Sequence, residues 1–151
     1  MDHTYKAAEL FMNNCNCAQA VAVAFCDVTG MDETLAARMA SPFGGGMGRM
    51  REVCGAVSGM LMVLGQLYGY TDPGEDDCHK AAHYDLVQKL AGKFREEAGS
   101  IICRELLDNP PSDPNPTPRT EEFYKTRPCA RFVMIAAKIL DDYIAEHPIE
   151  K

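Results

Sequence analysis

The chain has 151 residues, of which 46% are hydrophobic and 25% are charged. This balance excludes general disorder and predicts a single globular domain over residues 1–151. The formal net charge is −7, which argues against a nucleic acid partner, because phosphate contacts need clustered lysines and arginines. Seven cysteines are present, and an odd number excludes a disulfide framework that pairs every thiol within one monomer.

Two features of the sequence bear on its location. The N-terminus has no basic segment followed by an apolar run, so no signal peptide is expected. The longest apolar stretch, 53–67, is interrupted by small and polar residues and is shorter than the roughly 20 residues that span a bilayer. The sequence therefore predicts a cytoplasmic protein with no transmembrane segment, in which many cysteines indicate metal binding or redox chemistry.

Apolar residues recur at helical spacing along most of the chain, so we predict an all-α fold, a compact bundle of about six or seven helices. The predicted helices cover 2–13, the segment from Asn14 or Asn16 to Gly30, 32–42, 49–68, 75–98, a short segment after Ser100, and the segment from Thr120 or Pro128 to Glu146. Five of the eleven residues in 109–119 are prolines, which predicts an extended surface loop within the domain.

A run of glycines from Gly44 to Gly48 predicts a loop between two helices. Its backbone N–H groups, at Gly45 and Gly46 in particular, are candidates for an anion-binding concavity that donates to thiolates or to the sulfurs of a cofactor. Arg49 and Arg51 would add positive charge nearby. A flexible turn imposed by the preceding proline is the alternative interpretation.

The spacing of the cysteines excludes several familiar sites. There is no CxxC motif, which argues against a thioredoxin-type pair, a zinc ribbon and a bacterial ferredoxin loop. Cys15 and Cys17 are the only close pair, and the others are spread over separate predicted helices. A site made from these cysteines must therefore be assembled by the fold.

Four of the cysteines lie at or near the predicted start of a helix. Asn16 as N-cap makes Cys17 the first helical residue, and Ser100 as N-cap puts Cys103 in a first turn. Cys129 follows Pro128, and Cys54 lies one or two turns into the predicted helix 49–68. Because free N–H groups and the helix dipole favour a thiolate, these four are the candidate catalytic or metal-binding residues.

The remaining candidates have weaker support. Cys15, Cys26 and Cys78 are interpreted as packing residues, since free cysteine is commonly buried. His79 and His83 lie four apart on the long helix, a spacing that permits a metal site, although a solvated helix face is the commoner explanation.

The segment Cys54-Gly55-Ala56-Val57-Ser58-Gly59 is a CGAxxG hexapeptide. It follows Asn16-Cys17-Ala18-Gln19-Ala20-Val21 and precedes single cysteines at Cys103 and Cys129. This arrangement resembles the C_GCAxxG_C_C family of small helical redox-active proteins, and the resemblance implies a redox role for the four cysteines. A related domain in split-Soret cytochromes implies an iron–sulfur cluster, whereas the haem motifs of those proteins are missing here.

Gly55 and Gly59 give one stretch of helix very little side-chain bulk. Two glycines inside a helix cost about 1 kcal/mol each relative to alanine, so they predict a close approach by another group. That group is either a neighbouring helix or a cofactor, and Gly55 and Gly59 are therefore candidate cofactor-binding residues together with Gly45 and Gly46.

The sequence supports one leading function and two alternatives. The leading prediction is a redox protein whose four cysteines converge to bind an iron–sulfur cluster or to act as redox-active thiols in electron transfer. The first alternative is a dithiol–disulfide oxidoreductase with two thiols of lowered pKa, in which Cys17 or Cys54 is required for turnover. The second is a non-catalytic protein with a structural zinc site made by the four cysteines. The redox partner, the substrate and the oligomeric state, including a homo-oligomer, stay open.

Overall fold

The computed structural model describes residues 2–74 and 76–149, and it confirms the all-α prediction. The described residues form helices and a single isolated β-bridge, with no strand. The helices are α1 Thr4–Met12, α2 Cys17–Ala24, α3 Cys26–Thr29, α4 Glu33–Ala40, α5 Gly44–Met47, α6 Gly55–Tyr68, α7 Asp77–Ala98, α8 Cys103–Leu106, α9 Glu121–Thr126 and α10 Cys129–Glu146. Glu75, the predicted start of the long helix, lies outside the described residues.

Helix α2 lies at the centre of the fold, where it packs against α1, α4, α6 and α10. Apart from Gln19 it consists of apolar residues, as expected for a buried helix, and most of its residues are inaccessible to solvent. Its contact with α6 depends on Gly59, because a Cβ atom there would lie 2.7 Å from the Ala18 carbonyl oxygen and 3.0 Å from Val21 Cβ. Close helix packing therefore explains this glycine of the hexapeptide.

The predicted helix 49–68 is wrong at its start. Arg49 and Arg51 adopt left-handed backbone conformations, with φ values of 68° and 62°, and no α-helix can run through them. Helix α6 therefore begins at Gly55, with Cys54 as its N-cap. This correction moves Cys54 from the interior of a helix to its N-terminus.

Two other predicted helices are divided in the structure. The segment ending at Gly30 breaks at Phe25, which separates α2 from α3. The last segment breaks at Arg127, whose extended backbone conformation is the one that a following proline favours. As a result Cys129 is the first residue of its own helix, α10.

The segment 107–120 contains the proline-rich stretch and forms neither helix nor strand. Most of its residues are exposed. Two arginines hold it against the rest of the molecule: Arg49 Nε donates to the Asp113 carbonyl oxygen at 2.8 Å, and Arg51 Nε donates to the Pro111 carbonyl oxygen at 2.9 Å. No helix within residues 2–74 and 76–149 is both long and apolar enough to cross a membrane.

Candidate functional site

The structure brings the four predicted cysteines together around one small cavity of about 30 Å³, here called the inner cavity. Cys17, Cys54, Cys103 and Cys129 all line it. Three of them are the first residues of α2, α8 and α10, and Cys54 is the N-cap of α6. Four helix N-termini therefore converge on the sulfur atoms, although the cysteines are far apart in sequence.

Local interactions fix the start of α2 at Cys17. The Asn16 side chain accepts a hydrogen bond from the Gln19 N–H at 2.8 Å, and the Gln19 side chain accepts one from the Asn16 N–H at 3.0 Å. This capping box satisfies two of the free donors at the helix start. The predicted N-cap at Asn16 is confirmed.

The start of α8 differs slightly from the prediction. Its N-cap is Ile102, whereas Ser100 acts two residues earlier by accepting from the Ile102 N–H at 3.0 Å and donating to Glu105 at 2.6 Å. The predicted position of Cys103 in the first turn is confirmed. Ser100 stabilises the turn that leads into the helix and does not cap it.

A short antiparallel pairing holds Cys54 and Cys103 near each other. Val53 and Ile102 form the β-bridge, and on either side of it the Cys54 N–H donates to the Ile101 carbonyl oxygen at 2.7 Å and the Cys103 N–H to the Glu52 carbonyl oxygen at 2.6 Å. The chain segments that precede α6 and α8 are thus joined directly through their backbones.

Three of the four candidate glycines line the inner cavity: Gly45, Gly46 and Gly55. Gly46 has a φ of 71°, and a Cβ atom there would lie 2.7 Å from Cys103 Cβ. Any larger residue would therefore displace Cys103. Gly59 lies away from the cavity, at the contact between α6 and α2, so its cofactor-binding role stays a prediction.

Cys17 and Cys129 form an asymmetric pair. The interaction between the two side chains is the largest effect on the pKa of both groups. It lowers the pKa of Cys129, with further help from the positive charges of Arg127, Arg119 and Arg51. The same interaction and burial raise the pKa of Cys17 well above its usual value. Cys129 is therefore the more readily ionised thiol of the pair.

Burial decides the state of Cys54. It raises the pKa of the Cys54 thiol to about 12, although hydrogen bonds from the backbone N–H groups of Ala56 and Val57 oppose the rise. The dithiol–disulfide alternative predicted two thiols of lowered pKa, and for Cys54 this prediction is wrong. A helix N-terminus is not sufficient to stabilise a thiolate where the sulfur is removed from water.

A second cavity, of about 290 Å³, gives access to the pair. Cys17 and Cys129 line it, whereas Cys54 and Cys103 do not. Cys17 and Cys129 are half-buried, whereas Cys54 and Cys103 are buried. The four cysteines thus form an accessible pair, Cys17 and Cys129, in front of an enclosed pair, Cys54 and Cys103.

Four arginines line this outer cavity: Arg49, Arg51, Arg119 and Arg127. The sequence analysis indicated Arg49 and Arg51, because they follow the glycine run Gly44–Gly48. The signals for the others were weaker, because Arg127 is marked only by its position two residues before Cys129, and Arg119 by its position at the end of the proline-rich stretch. Their approach to the cysteines depends on the tertiary fold.

The cysteines as they are placed are not spaced to hold a single metal ion. Four thiols are chemically suitable donors for a metal ion or an iron–sulfur cluster. In the part of the chain that the structure describes, however, no three His, Cys, Asp or Glu side chains are spaced to hold a metal ion, and this includes His79 and His83. The inner cavity of about 30 Å³ is close to the share of liquid volume of one water molecule.

Comparison with protein families identifies the chain. The family model described as "Putative redox-active protein (C_GCAxxG_C_C)" matches residues 15–143. The chain belongs to this family. No curated protein and no solved structure matched it. The family resemblance that the hexapeptide and the single cysteines indicated is confirmed.

The other three cysteines of this C_GCAxxG_C_C protein lie outside the site. Cys15 is half-buried, and burial raises its pKa. The Cys26 thiol donates to the Ala22 carbonyl oxygen at 3.7 Å inside the core. Cys78 is exposed on α7. None of them lines the inner cavity around the four family cysteines.

Proposed function

We propose that the protein is a thiol–disulfide redox protein in which Cys129 is the attacking thiolate and Cys17 is the resolving thiol. The observation that carries this proposal is that Cys17 and Cys129 lie together in the wall of the open cavity, close enough for each to shift the pKa of the other. A thiolate with lowered pKa, a second thiol in contact with it and access for a substrate are the requirements of disulfide exchange.

The reaction proceeds in two exchange steps. The Cys129 thiolate attacks one sulfur of a substrate disulfide, so a bond forms between the two sulfurs and the second substrate sulfur leaves as a thiolate, which takes up a proton from water. Cys17 then loses its proton to the solvent and attacks the Cys129 sulfur, which closes the Cys17–Cys129 disulfide. The mixed disulfide breaks, and the second substrate thiolate leaves and is protonated. The protein gives two electrons to the substrate, and an external dithiol reduces it again.

The enclosed pair has a supporting role in this scheme. Cys54 stays a thiol because of its pKa of about 12, and Arg51 Nη1 donates to the Cys103 sulfur at 3.6 Å. Neither sulfur lines the outer cavity. We assign the first attack on substrate to Cys129 alone. A set of free thiols of this kind works in a reducing compartment, and we place the protein in the cytoplasm on that ground.

The direct test is disulfide exchange with single cysteine variants. Reduced wild-type protein should consume a small disulfide with a dithiol as the final reductant, and Cys129→Ser should abolish the reaction. Cys17→Ala should stop after the first step, so mass spectrometry should detect a stable adduct on Cys129. Cys78→Ser, a substitution of an exposed cysteine away from the site, is the matched control. Turnover by Cys129→Ser at the wild-type rate would contradict the proposal.

The predicted iron–sulfur cluster has one observation in its favour, the convergence of four cysteines on one cavity. Anaerobic reconstitution with iron and sulfide, followed by metal analysis and visible absorption, separates the two proposals. We expect far less than one cluster per chain and no cluster absorption. A stoichiometric cluster lost in each of the four single cysteine variants would favour the cluster, and stoichiometric zinc without colour would favour the structural zinc site.

A further inference from the structure

We propose that the outer cavity binds the carboxylate or phosphate groups of a small anionic disulfide and presents its sulfurs to Cys129. The identity of the ligand as a disulfide rests on the proposed function. The anion-binding part rests on four arginines, and the experiment below tests the two parts separately.

The cavity concentrates positive charge in a negatively charged protein. Four of the eight arginines in the chain line it, although the net charge of the whole chain is −7. None of the described residues that line it is acidic. Clefts lined by charge of one sign raise the local concentration of ligands of the opposite sign.

The arginines are held in position by groups that do not neutralise them. Arg119 donates to the carbonyl oxygens of Phe11 and Cys15, both at 3.1 Å, and its guanidinium lies 4.5 Å from the centre of the Phe11 ring. Arg127 lies 5.2 Å from the centre of the Phe123 ring. No carboxylate in the described part of the chain pairs with either guanidinium. Their charge is therefore available to an anion from outside.

Arg51 is the second, independent indication of a ligand. Its side chain is 4% exposed, and its Nη2 atom is buried without a hydrogen-bond partner among the described residues. Burying a charged donor without a partner is costly, so such a group is normally satisfied by a ligand, an ion or water. Arg51 lines both the inner and the outer cavity, so its guanidinium adjoins the proposed anion.

Arg49, which follows the C-cap of α5, completes the cluster. It donates to Thr117 Oγ1 at 2.9 Å, and its nearest carboxylate, Asp113, is half-exposed and 4.0 Å away. Burial and the neighbouring charge of Arg51 lower the pKa of Arg49. The arginines repel one another, and a bound anion would relieve this repulsion.

The size of the cavity defines the class of ligand. Its volume of about 290 Å³ corresponds to roughly ten water molecules and lies at the lower end of small-molecule sites. Cys17 and Cys129 lie in its wall. A low-molecular-weight disulfide with anionic ends therefore fits the charge, the volume and the position of the thiolate.

The test uses three small disulfides of similar size and different charge: dithiodiglycolate, bis(2-hydroxyethyl) disulfide and cystamine. Rates of exchange with reduced protein are divided by the rates with free dithiothreitol, which removes differences in intrinsic reactivity. We expect the order anionic, neutral, cationic. Arg119→Gln and Arg127→Gln should each reduce the anionic-to-neutral ratio by about fivefold or more, and added salt should reduce it too.

The ratio of the anionic to the neutral exchange rate separates two effects of an arginine: recognition of the charge of the disulfide and lowering of the pKa of Cys129. Loss of Arg127 also raises the pKa of Cys129, since its charge contributes to the lowering, but this slows exchange with all three disulfides alike. Arg95→Gln, which removes an exposed arginine outside the cavity, is the matched control and should leave the ratio unchanged. Equal normalised rates for the three disulfides, unaffected by Arg119→Gln and Arg127→Gln, would overturn the inference and leave the proposed function in place.

Binding without chemistry provides the second arm. Calorimetry with Cys129→Ser and dithiodiglycolate should show binding that Arg119→Gln weakens. Binding of this kind, with no exchange by wild-type protein, would contradict the proposed function and support the anion site, whereas no binding would overturn the anion site. A disulfide of similar size with phosphate ends, compared with dithiodiglycolate by the same rate ratio, then distinguishes carboxylate from phosphate ligands.

Discussion

Two cavities of the protein lie towards opposite ends of α6 and differ in chemistry. The larger cavity, of about 750 Å³, lies where α6 ends at Tyr68. Tyrosines, histidines and lysines from α7 and from the C-terminal ends of α6 and α10 line it. The smaller, of about 290 Å³, lies at the other end of the helix, near its N-cap Cys54. It contains the accessible cysteine pair and four arginines. Volume alone therefore does not identify the reactive site.

The aromatic groups of the larger cavity interact mainly with one another. Tyr70 and Tyr84 share a hydrogen bond of 2.5 Å, and the Tyr143 and His147 rings stack with their centres 4.1 Å apart. Each cavity has one buried side-chain nitrogen without a partner among the described residues, His83 Nδ1 in the larger and Arg51 Nη2 in the smaller. The smaller cavity differs in its four arginines, which lie beside a cysteine of lowered pKa.

The largest expected effect comes from the thiolate of the smaller cavity. Cys129→Ser should lower the rate of disulfide exchange by about 1,000-fold or more, because a serine hydroxyl is not ionised at neutral pH. His83→Ala, in the larger cavity, should leave the rate within about twofold of wild type. Stopped-flow measurement of thiol release compares the two variants. A larger loss in His83→Ala than in Cys129→Ser would reverse the assignment of the two cavities.

The next effect concerns the two halves of α6. Gly59→Ala should lower the free energy of unfolding by about 3 kcal/mol, because the new methyl group would meet the Ala18 carbonyl oxygen at 2.7 Å in backbone that cannot move aside cheaply. Gly65→Ala, on the same helix towards the larger cavity, has no atom within 4 Å of its new methyl group and should raise stability by about 1 kcal/mol. Urea unfolding of both variants measures the difference. Equal effects would argue against close packing as the role of Gly59.

A pH dependence of stability is expected from the enclosed pair. Because the pKa of Cys54 is about 12 in the folded protein and 9.0 for an ordinary thiol, its contribution to stability is complete below about pH 9 and is lost as the pH rises towards 12. Between pH 9 and 10.5 the wild type should lose about 1.6 kcal/mol more than Cys54→Ala. Unfolding at a series of alkaline pH values tests this. Parallel curves for the two proteins would show that Cys54 titrates normally.

The smallest effect isolates the interaction between the accessible thiols. Because the Cys17 side chain contributes most to lowering the pKa of Cys129, Cys17→Ala should raise that pKa. Cys17→Ser keeps a donor and should retain most of the lowering. The pH dependence of iodoacetamide alkylation at Cys129 gives the value. If Cys17→Ala left the profile unchanged, the arginines alone would account for the low pKa.

Local features of the site were predictable from the sequence, whereas its pairing was not. The cap at Asn16 depends on residues three apart, and the four family cysteines are marked by the hexapeptide and its flanking motif. The pairing of Cys17 with Cys129 depends on how α10 packs against α2, and these residues are 112 positions apart. Spacing along the chain carries no information about such a contact.

The start of α6 shows a different limit of prediction. Arg49 and Arg51 are residues that normally favour a helix, and the sequence therefore predicted one through them. Their left-handed conformations accompany hydrogen bonds from both side chains to the segment 107–120. The left-handed backbone of Arg49 and Arg51, which their helix propensity disfavours, thus occurs together with contacts to a segment distant in sequence. Because α6 begins only after these residues, Cys54 lies at its N-terminus.

Peptide mapping of the oxidised protein tests the central claim most directly. One equivalent of a small disulfide is added to fully reduced protein, remaining thiols are alkylated, and the disulfide-linked peptides are identified by mass spectrometry. The asymmetric pair predicts a Cys17–Cys129 disulfide, with Cys54 and Cys103 recovered as free thiols. A Cys54–Cys103 disulfide in its place, or four unmodified thiols, would contradict it.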